Sequence, residues 1–146
     1  MTENEIQDLH PVTQFRIGDI FEFSRTLSRQ DVLDFANLTG DHNPLHTDPE
    51  FAKKTPFQNN IVHGLLLGSL FSTLVGMYCP GKHALYLSQT LNFRSPVFYG
   101  ETVSVVGKVI GINESIGVVT LETKILRDGK VMVSGEAKAK VLEDRK

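Results

Sequence analysis

Cysteine is almost missing from this chain. A single thiol, Cys79, among 146 residues excludes an internal disulfide framework. It fits a reducing compartment: the cytoplasm is expected, with the mitochondrial matrix left open. No acid or base stands beside Cys79 in sequence, so it is expected as a small buried or half-buried hydrophobe. Charge of one sign is equally scarce. Fifteen Lys and Arg against 17 Asp and Glu leave a net charge of −2, with no basic face or arm to neutralise nucleic-acid phosphates. The first ten residues are acidic and polar, unlike a secretory signal or an Arg-rich transit peptide. Residues 1–13 are expected as a flexible lead and residues 14–146 as a single domain. There is also no long membrane-spanning run. The uncharged stretch Val62–Tyr78 reaches only the lower limit of about 17 residues for a span. His63 at one end and the hydroxyls along it favour a core helix, and no membrane partner is expected.

The periodicities that are present divide the chain in two. Residues 15–23 alternate loosely and predict a first strand or extended arm. Ser28 followed by Asp31 reads as a helix N-cap with an acid three residues on, and Gly40 sits where a left-handed C-cap would go. Asp48 and Pro49 predict a second, short helix. Residues 61–77 carry the strongest helical pattern, expected to be buried on all sides. The remainder reads as antiparallel strand. Leu85, Leu87, Gln89, Leu91 and Phe93 share one face; Val103, Val105, Gly107 and Val109 share another; then come Val119, Leu121, Thr123 and Ile125. Asp128-Gly129 predicts a hairpin, leading to Val131, Val133, Gly135, Ala137, Ala139 and Val141 on an inward face. Helices first and strands afterwards predict an α+β fold, an antiparallel sheet wrapped on one side of a hydrophobic helix. Such a sheet has a free edge, which favours homodimerisation.

The chemistry is concentrated between Gly40 and Gly64, where Asp41, His42, Asn43, His46 and Asp48 are crowded between prolines. Pro44 disfavours helix for Asn43, so residues 41–46 are expected as a shaped loop rather than a helical turn. Four readings compete. A metal site would use His42 and His46, but a histidine pair four residues apart needs one helix face, and Pro44 interrupts it. No metal is expected. A nucleophilic hydrolase needs Ser or Cys on a sharp turn, whereas Gly68-Ser69 and Ser72 fall inside a helix. A purely structural reading has Asp41 capping, Asn43 starting a turn and His46 satisfied in the core. Against it stands the cost of burying an unpaired carboxylate, several kcal/mol, if the loop is buried. The fourth reading is a general acid/base pair, Asp41 and His46 converging on one water. Asn43 holds the loop or the water, and the Gly64 N–H faces a developing oxyanion at a helix start. Those parts suit addition of water to, or its loss from, an α,β-unsaturated acyl group.

Gly-Asp-His-Asn-Pro-Leu-His-Thr-Asp-Pro at 40–49, with Ile-Val-His-Gly at 61–64, resembles the signature of R-specific enoyl-CoA hydratases. These form the MaoC-like, or hydratase 2, branch of the hotdog fold. The segment Phe-Arg-Ser-Pro-Val-Phe-Tyr-Gly-Glu at 93–101 resembles that family's strand entry. The resemblance implies a sheet wrapped around a central helix, and a homodimer. It implies (R)-specific hydration of trans-2-enoyl-CoA to (R)-3-hydroxyacyl-CoA, with Asp41 and His46 catalytic and the Gly64 amide receiving the thioester oxygen. Asn43, His63 and Ser72 would be substrate-binding: Asn43 lines the site, Ser72 lines the acyl tunnel or packs the helix, and His63 shapes the turn or supports the pair. His42 is assigned no role. The substrate carrier is CoA or a carrier protein's phosphopantetheine, and no cofactor is expected. Three alternatives stay open: the reverse dehydration of 3-hydroxyacyl thioesters, thioester hydrolysis, and a non-catalytic acyl-thioester binder.

Overall fold

In the computed structural model, which describes residues 11–145, one antiparallel sheet provides the frame. Its strands are β1 (Ile20–Thr26), β2 (Ala84–Gln89), β3 (Asn92–Phe93), β4 (Thr102–Asn113), β5 (Val118–Arg127) and β6 (Lys130–Val141). They run in the order β1-β4-β5-β6-β2, with β3 also pairing β6. The hairpin at Asp128-Gly129 forms as expected. Both residues take positive φ, 49° and 78°, as a two-residue turn matching the strand twist requires. Val103, Val105 and Val109 are buried on one face of β4, and Val119, Leu121, Thr123 and Ile125 on one face of β5.

Two strands depart from strict alternation. In β6, Met132 is fully buried where Val131 was expected inward, because the register shifts between Ile125 and Leu126 opposite it. The stretch read as a single strand from Leu85 to Phe93 is broken at Thr90. There the chain bends over Gly135, whose missing Cβ would lie 1.8 Å from the Thr90 carbonyl oxygen. Leu85 and Leu87 do share a face, but it is the exposed one; Ala84 and Tyr86 pack inward.

Helix α1 (Arg29–Thr39) has the predicted ends: a reciprocal capping box between Ser28 and Asp31, and Gly40 left-handed at φ 83°. The next elements correct an expectation. Residues 41–46 are not all loop, since Pro44–Thr47 form one helical turn, α2, with Asn43 as N-cap and Pro44 in its first turn. Proline disfavours helix for the residue before it yet suits the first helical position, so it starts the turn that carries His46. Helix α3 (Pro49–Lys53) follows with Asp48 as its cap.

The central helix α4 spans Gly64–Thr73 and continues as a π-helical segment, Leu74–Tyr78. It starts three residues later than expected because residues 61–62 are extended: Ile61 bridges Phe98, and the Val62 N–H donates to the Val97 carbonyl at 2.8 Å. Nor is it buried on all sides. Leu67, Gly68, Leu70, Phe71, Leu74 and Val75 enter the core, whereas Leu65, Ser69, Ser72 and Met77 are exposed along the other face. Glycine permits the close packing: a Cβ on Gly107 of β4 would come within 2.7 Å of the Leu74 side chain.

The flexible lead expected over residues 1–13 falls largely outside the described residues. Its last part belongs to the fold, because Pro11–Gln14 form a 3-10 turn and Val12 is fully buried beside Val75 and Val109. Cys79 is fully buried as expected, and burial pushes its thiol pKa up to about 12. None of the described helices is long and apolar enough to cross a membrane.

Candidate active site

Three segments meet at the N-terminal end of α4. The first is the link from α1 to α2, where Gly40 reverses the chain and places Asp41. Asp41 is held locally, its N–H donating to the Thr39 hydroxyl and its Oδ1 accepting from the Asn43 N–H, both at 3.2 Å. The second is α2, carrying His46. The third is the extended segment 60–63 that carries His63 and feeds into Gly64, the first residue of α4.

Asn60, which sequence reasoning missed, joins the second and third segments. Its buried amide nitrogen lies 3.2, 2.9 and 3.1 Å from the carbonyls of Pro44, Leu45 and Asp48. Each of these carbonyls also accepts a backbone N–H, from Asp48, Ile61 and Ala52 respectively, so the Asn60 amide adds a second bond that ties the short helices to the third segment. The loop of residues 94–98 backs the third segment. It is clamped from β5: Glu101 accepts from the Phe98 N–H at 2.7 Å and from Arg127 at 2.8 Å. Nothing in the local patterns around Asn60 or Arg127 announces these jobs, because their partners are distant in sequence.

The two imidazoles lie face to face, His46 on His63, with centroids 4.0 Å apart and planes 29° apart. Their hydrogen bonds fix their tautomers. His46 Nδ1 is 2.8 Å from the Ile61 carbonyl, which only accepts, so Nδ1 carries the hydrogen and Nε2 of the neutral ring keeps its lone pair. His63 Nε2 likewise donates to the Asp41 carbonyl at 3.0 Å. Burial lowers the pKa of His63, outweighing the Asp41 carbonyl bond that raises it.

Asp41, His46 and His63 each place one polar side-chain atom within 4.8 Å of the others. Two atoms at such a spacing can share one water at ordinary hydrogen-bond distances of about 2.8 Å. The convergence expected of Asp41 and His46 is therefore present. The burial argument for it is not, because the Asp41 side chain is 51% exposed. The third histidine also revives the metal question, since it arrives from outside the loop. Together the three residues form a group that could hold a metal ion, with the His63 Nε2–H committed to the Asp41 carbonyl.

A cavity of about 530 Å³ opens beside these groups, lined by Asp41, His46, His63 and Gly64 and walled by apolar residues including Phe57, Ile61, Leu67, Phe93 and Val133. Gly64, first in its helix, has no intrahelical partner for its N–H. A Cβ there would lie 2.8 Å from the Phe93 ring. Two residues expected at the site are not on its wall. The Asn43 side chain caps α2, accepting from the Leu45 N–H at 3.0 Å. Ser72 is exposed two turns along α4 on its uncovered face. His42 is exposed and lines no part of the cavity. Phe57, Arg94 and Val133 line it without a local sequence signal.

An antiparallel sheet packed on a central helix, with a carboxylate and an imidazole at the helix start beside an apolar cavity, defines an acid/base site on a hotdog-type frame. The MaoC-like domain model matches residues 13–130, most of the chain. An (R)-specific enoyl-CoA hydratase from Aeromonas caviae is 43% identical over 126 residues, covering 86% of this chain and 94% of the relative. A mitochondrial 3-hydroxyacyl-[acyl-carrier-protein] dehydratase from Arabidopsis thaliana is 37% identical, covering 87% and 78%. The structure of an A. caviae (R)-hydratase superposes with a TM-score of 0.85 at 42% identity, covering 88% of this chain and 98% of that one. The chain belongs to the MaoC-like family, and its fold is the hotdog fold.

Proposed function

We propose that the protein is a hydro-lyase that adds water to trans-2-enoyl thioesters, forming (R)-3-hydroxyacyl thioesters. The observation that carries this is the meeting of the His46 ring, whose Nδ1 is held by the Ile61 carbonyl, with the Asp41 carboxylate, within one water's reach and in the lining of an apolar cavity. The similarity to (R)-specific enoyl-CoA hydratases supports the substrate class and the stereochemistry.

In this reading the acyl chain lies among Phe57, Leu67, Phe93 and Val133, and the thioester carbonyl points at the Gly64 N–H. The positive end of α4 and that amide stabilise the enolate oxygen formed as charge leaves C3. His46 takes a proton from the bound water and Asp41 accepts its second hydrogen bond. The water oxygen then bonds to C3, the C2–C3 double bond becomes single, and a proton reaches C2 from the same pair. Run backwards, the identical groups dehydrate a 3-hydroxyacyl thioester, the reaction named for the plant relatives. No step calls for a cofactor; CoA or phosphopantetheine enters as part of the substrate.

The working unit is a homodimer. Leu65, Met77, Leu85, Leu87 and Phe93 are all more than 40% exposed. Leu65 and Phe93 also line the cavity, so a second copy covering them would close it. Sedimentation of a dimer agrees with this; a monomer that retains full turnover contradicts it.

Incubation with crotonyl-CoA tests the activity. Loss of enoyl-thioester absorbance without free thiol, giving the (R)-3-hydroxy product, is expected. Thiol release would make the protein a thioesterase, and binding without turnover would make it an acyl-thioester binder. Relative rates on CoA and carrier-protein thioesters assign the carrier.

A further inference from the structure

His63 is the most thoroughly buried polar group at the site, 2% exposed, and the chemistry above does not use it. As N-cap residue of α4 its side chain makes no capping hydrogen bond, although capping is the usual job of a polar side chain there. Its ring is instead held between two others, His46 at 4.0 Å and Phe35 of α1 at 4.8 Å. Its Nε2–H is given to the Asp41 carbonyl, and its Nδ1 is buried with no partner among the described residues. An unpartnered buried nitrogen is destabilising. A fold with no use for this ring would do better with an apolar one.

We infer that His63 is a positioning residue that holds both members of the acid/base pair at once. One contact fixes the backbone of Asp41, and hence the origin of its carboxylate. The other is the flat ring face that stops His46 from rotating about the bond its Nδ1 makes to Ile61. The same residue precedes Gly64, so carboxylate, imidazole and oxyanion amide are referred to one point. The Nε2–H tautomer is essential, because the Asp41 carbonyl only accepts. This rests on the assignment of Asp41 and His46 as the catalytic pair.

The two contacts separate by substitution. His63→Phe keeps the stacking face and loses the donor; His63→Gln keeps a donor for the Asp41 carbonyl and loses the ring. Each is expected to lower kcat by about 10- to 100-fold with KM unchanged, the usual effect of displacing reacting groups by about 1 Å. Folding is checked by circular dichroism, with Asp41→Asn and His46→Ala assayed alongside. Nitrogen-15 NMR of the wild-type protein supplies a readout independent of activity: His63 is expected neutral, with hydrogen on Nε2 and a bare Nδ1.

Folded His63 variants with wild-type kcat, while the Asp41 and His46 variants are dead, would overturn the inference and leave the catalytic assignment standing. Full activity in the Asp41 and His46 variants would remove that assignment and the inference with it, an outcome distinct from the first. A hydrogen on His63 Nδ1, or a charged ring at pH 7, overturns the inference whatever the variants do, including failing to fold.

Discussion

At its N-terminal end α4 begins on a glycine, its first amide is free, and its surroundings are Asp41, His46 and His63 beside an open cavity. At its far end the same helix widens into the π-helical segment Leu74–Tyr78, where Leu74 is wedged against Gly107 and Val75 and Cys79 are sealed among Val12, Val109 and Val141. One end has polar groups held by backbone carbonyls and left partly open to water; the other has apolar groups with no room between them. Chemistry and stability are thus separated along one helix. A substitution at the first end should change rate more than stability, and one at the second end the reverse.

The sharpest test of that division is also the largest effect. Asp41→Asn and His46→Ala should each lower turnover by about 10²–10⁴-fold, as loss of a general acid or base does. Both residues lie outside the buried core, so the melting temperature should barely move. Steady-state kinetics with a parallel thermal melt reads both quantities. At the other end, Leu74→Ala should cost about 2–5 kcal/mol in denaturant unfolding by leaving a cavity against β4, with kcat of the still-folded fraction unchanged. Gly135→Ala is expected to destabilise by about 3 kcal/mol or more, the upper end of overpacking costs, because the clash is with backbone. It forces the Thr90 carbonyl away from β6 and should show as lost hydrogen-exchange protection at Thr90 and Arg94.

Smaller effects follow from pH. Burial holds the pKa of His63 below its ordinary 6.5, so the unfolded chain takes up this proton first as pH falls. The protein should lose stability on acidification from about 6.5 downward, until the folded-state pKa is reached. His63→Gln should flatten that part of a melting-temperature profile. Cys79 reports the opposite limb. Its thiol titrates at about 12 rather than 9.0, so the unfolded chain releases that proton first and stability falls as pH rises through 9. The same burial should make native Cys79 slow to react with a disulfide reagent and fast once unfolded. Rapid labelling of the native protein would mean that the far end of α4 opens as readily as the near end.

Much of the frame was legible residue by residue. The capping box at Ser28, the left-handed Gly40, the Asp48 cap and the Asp128-Gly129 hairpin are local devices whose partners lie within four residues. A linear reading finds such devices. The strand faces of β4 and β5 were legible because alternation has period two; the reading failed where a register shift moved β6 by one residue at Met132 and where the chain broke at Thr90. Pro44 misled because it both discourages helix before itself and starts it, and only the surrounding carbonyls decide between the two.

The amino-acid sequence alone therefore determined most of the elements and singled out Asp41 and His46, because spacing and residue type are enough for interactions of short reach. Tertiary structure decided what depends on distant segments meeting. It brought His63 onto His46, put the Asn60 amide under the turn that carries His46, turned Ser72 away from the cavity and left Asp41 half open to solvent. Those outcomes follow from how strand, loop and helix pack, and packing is a property of surfaces that no single stretch of chain contains.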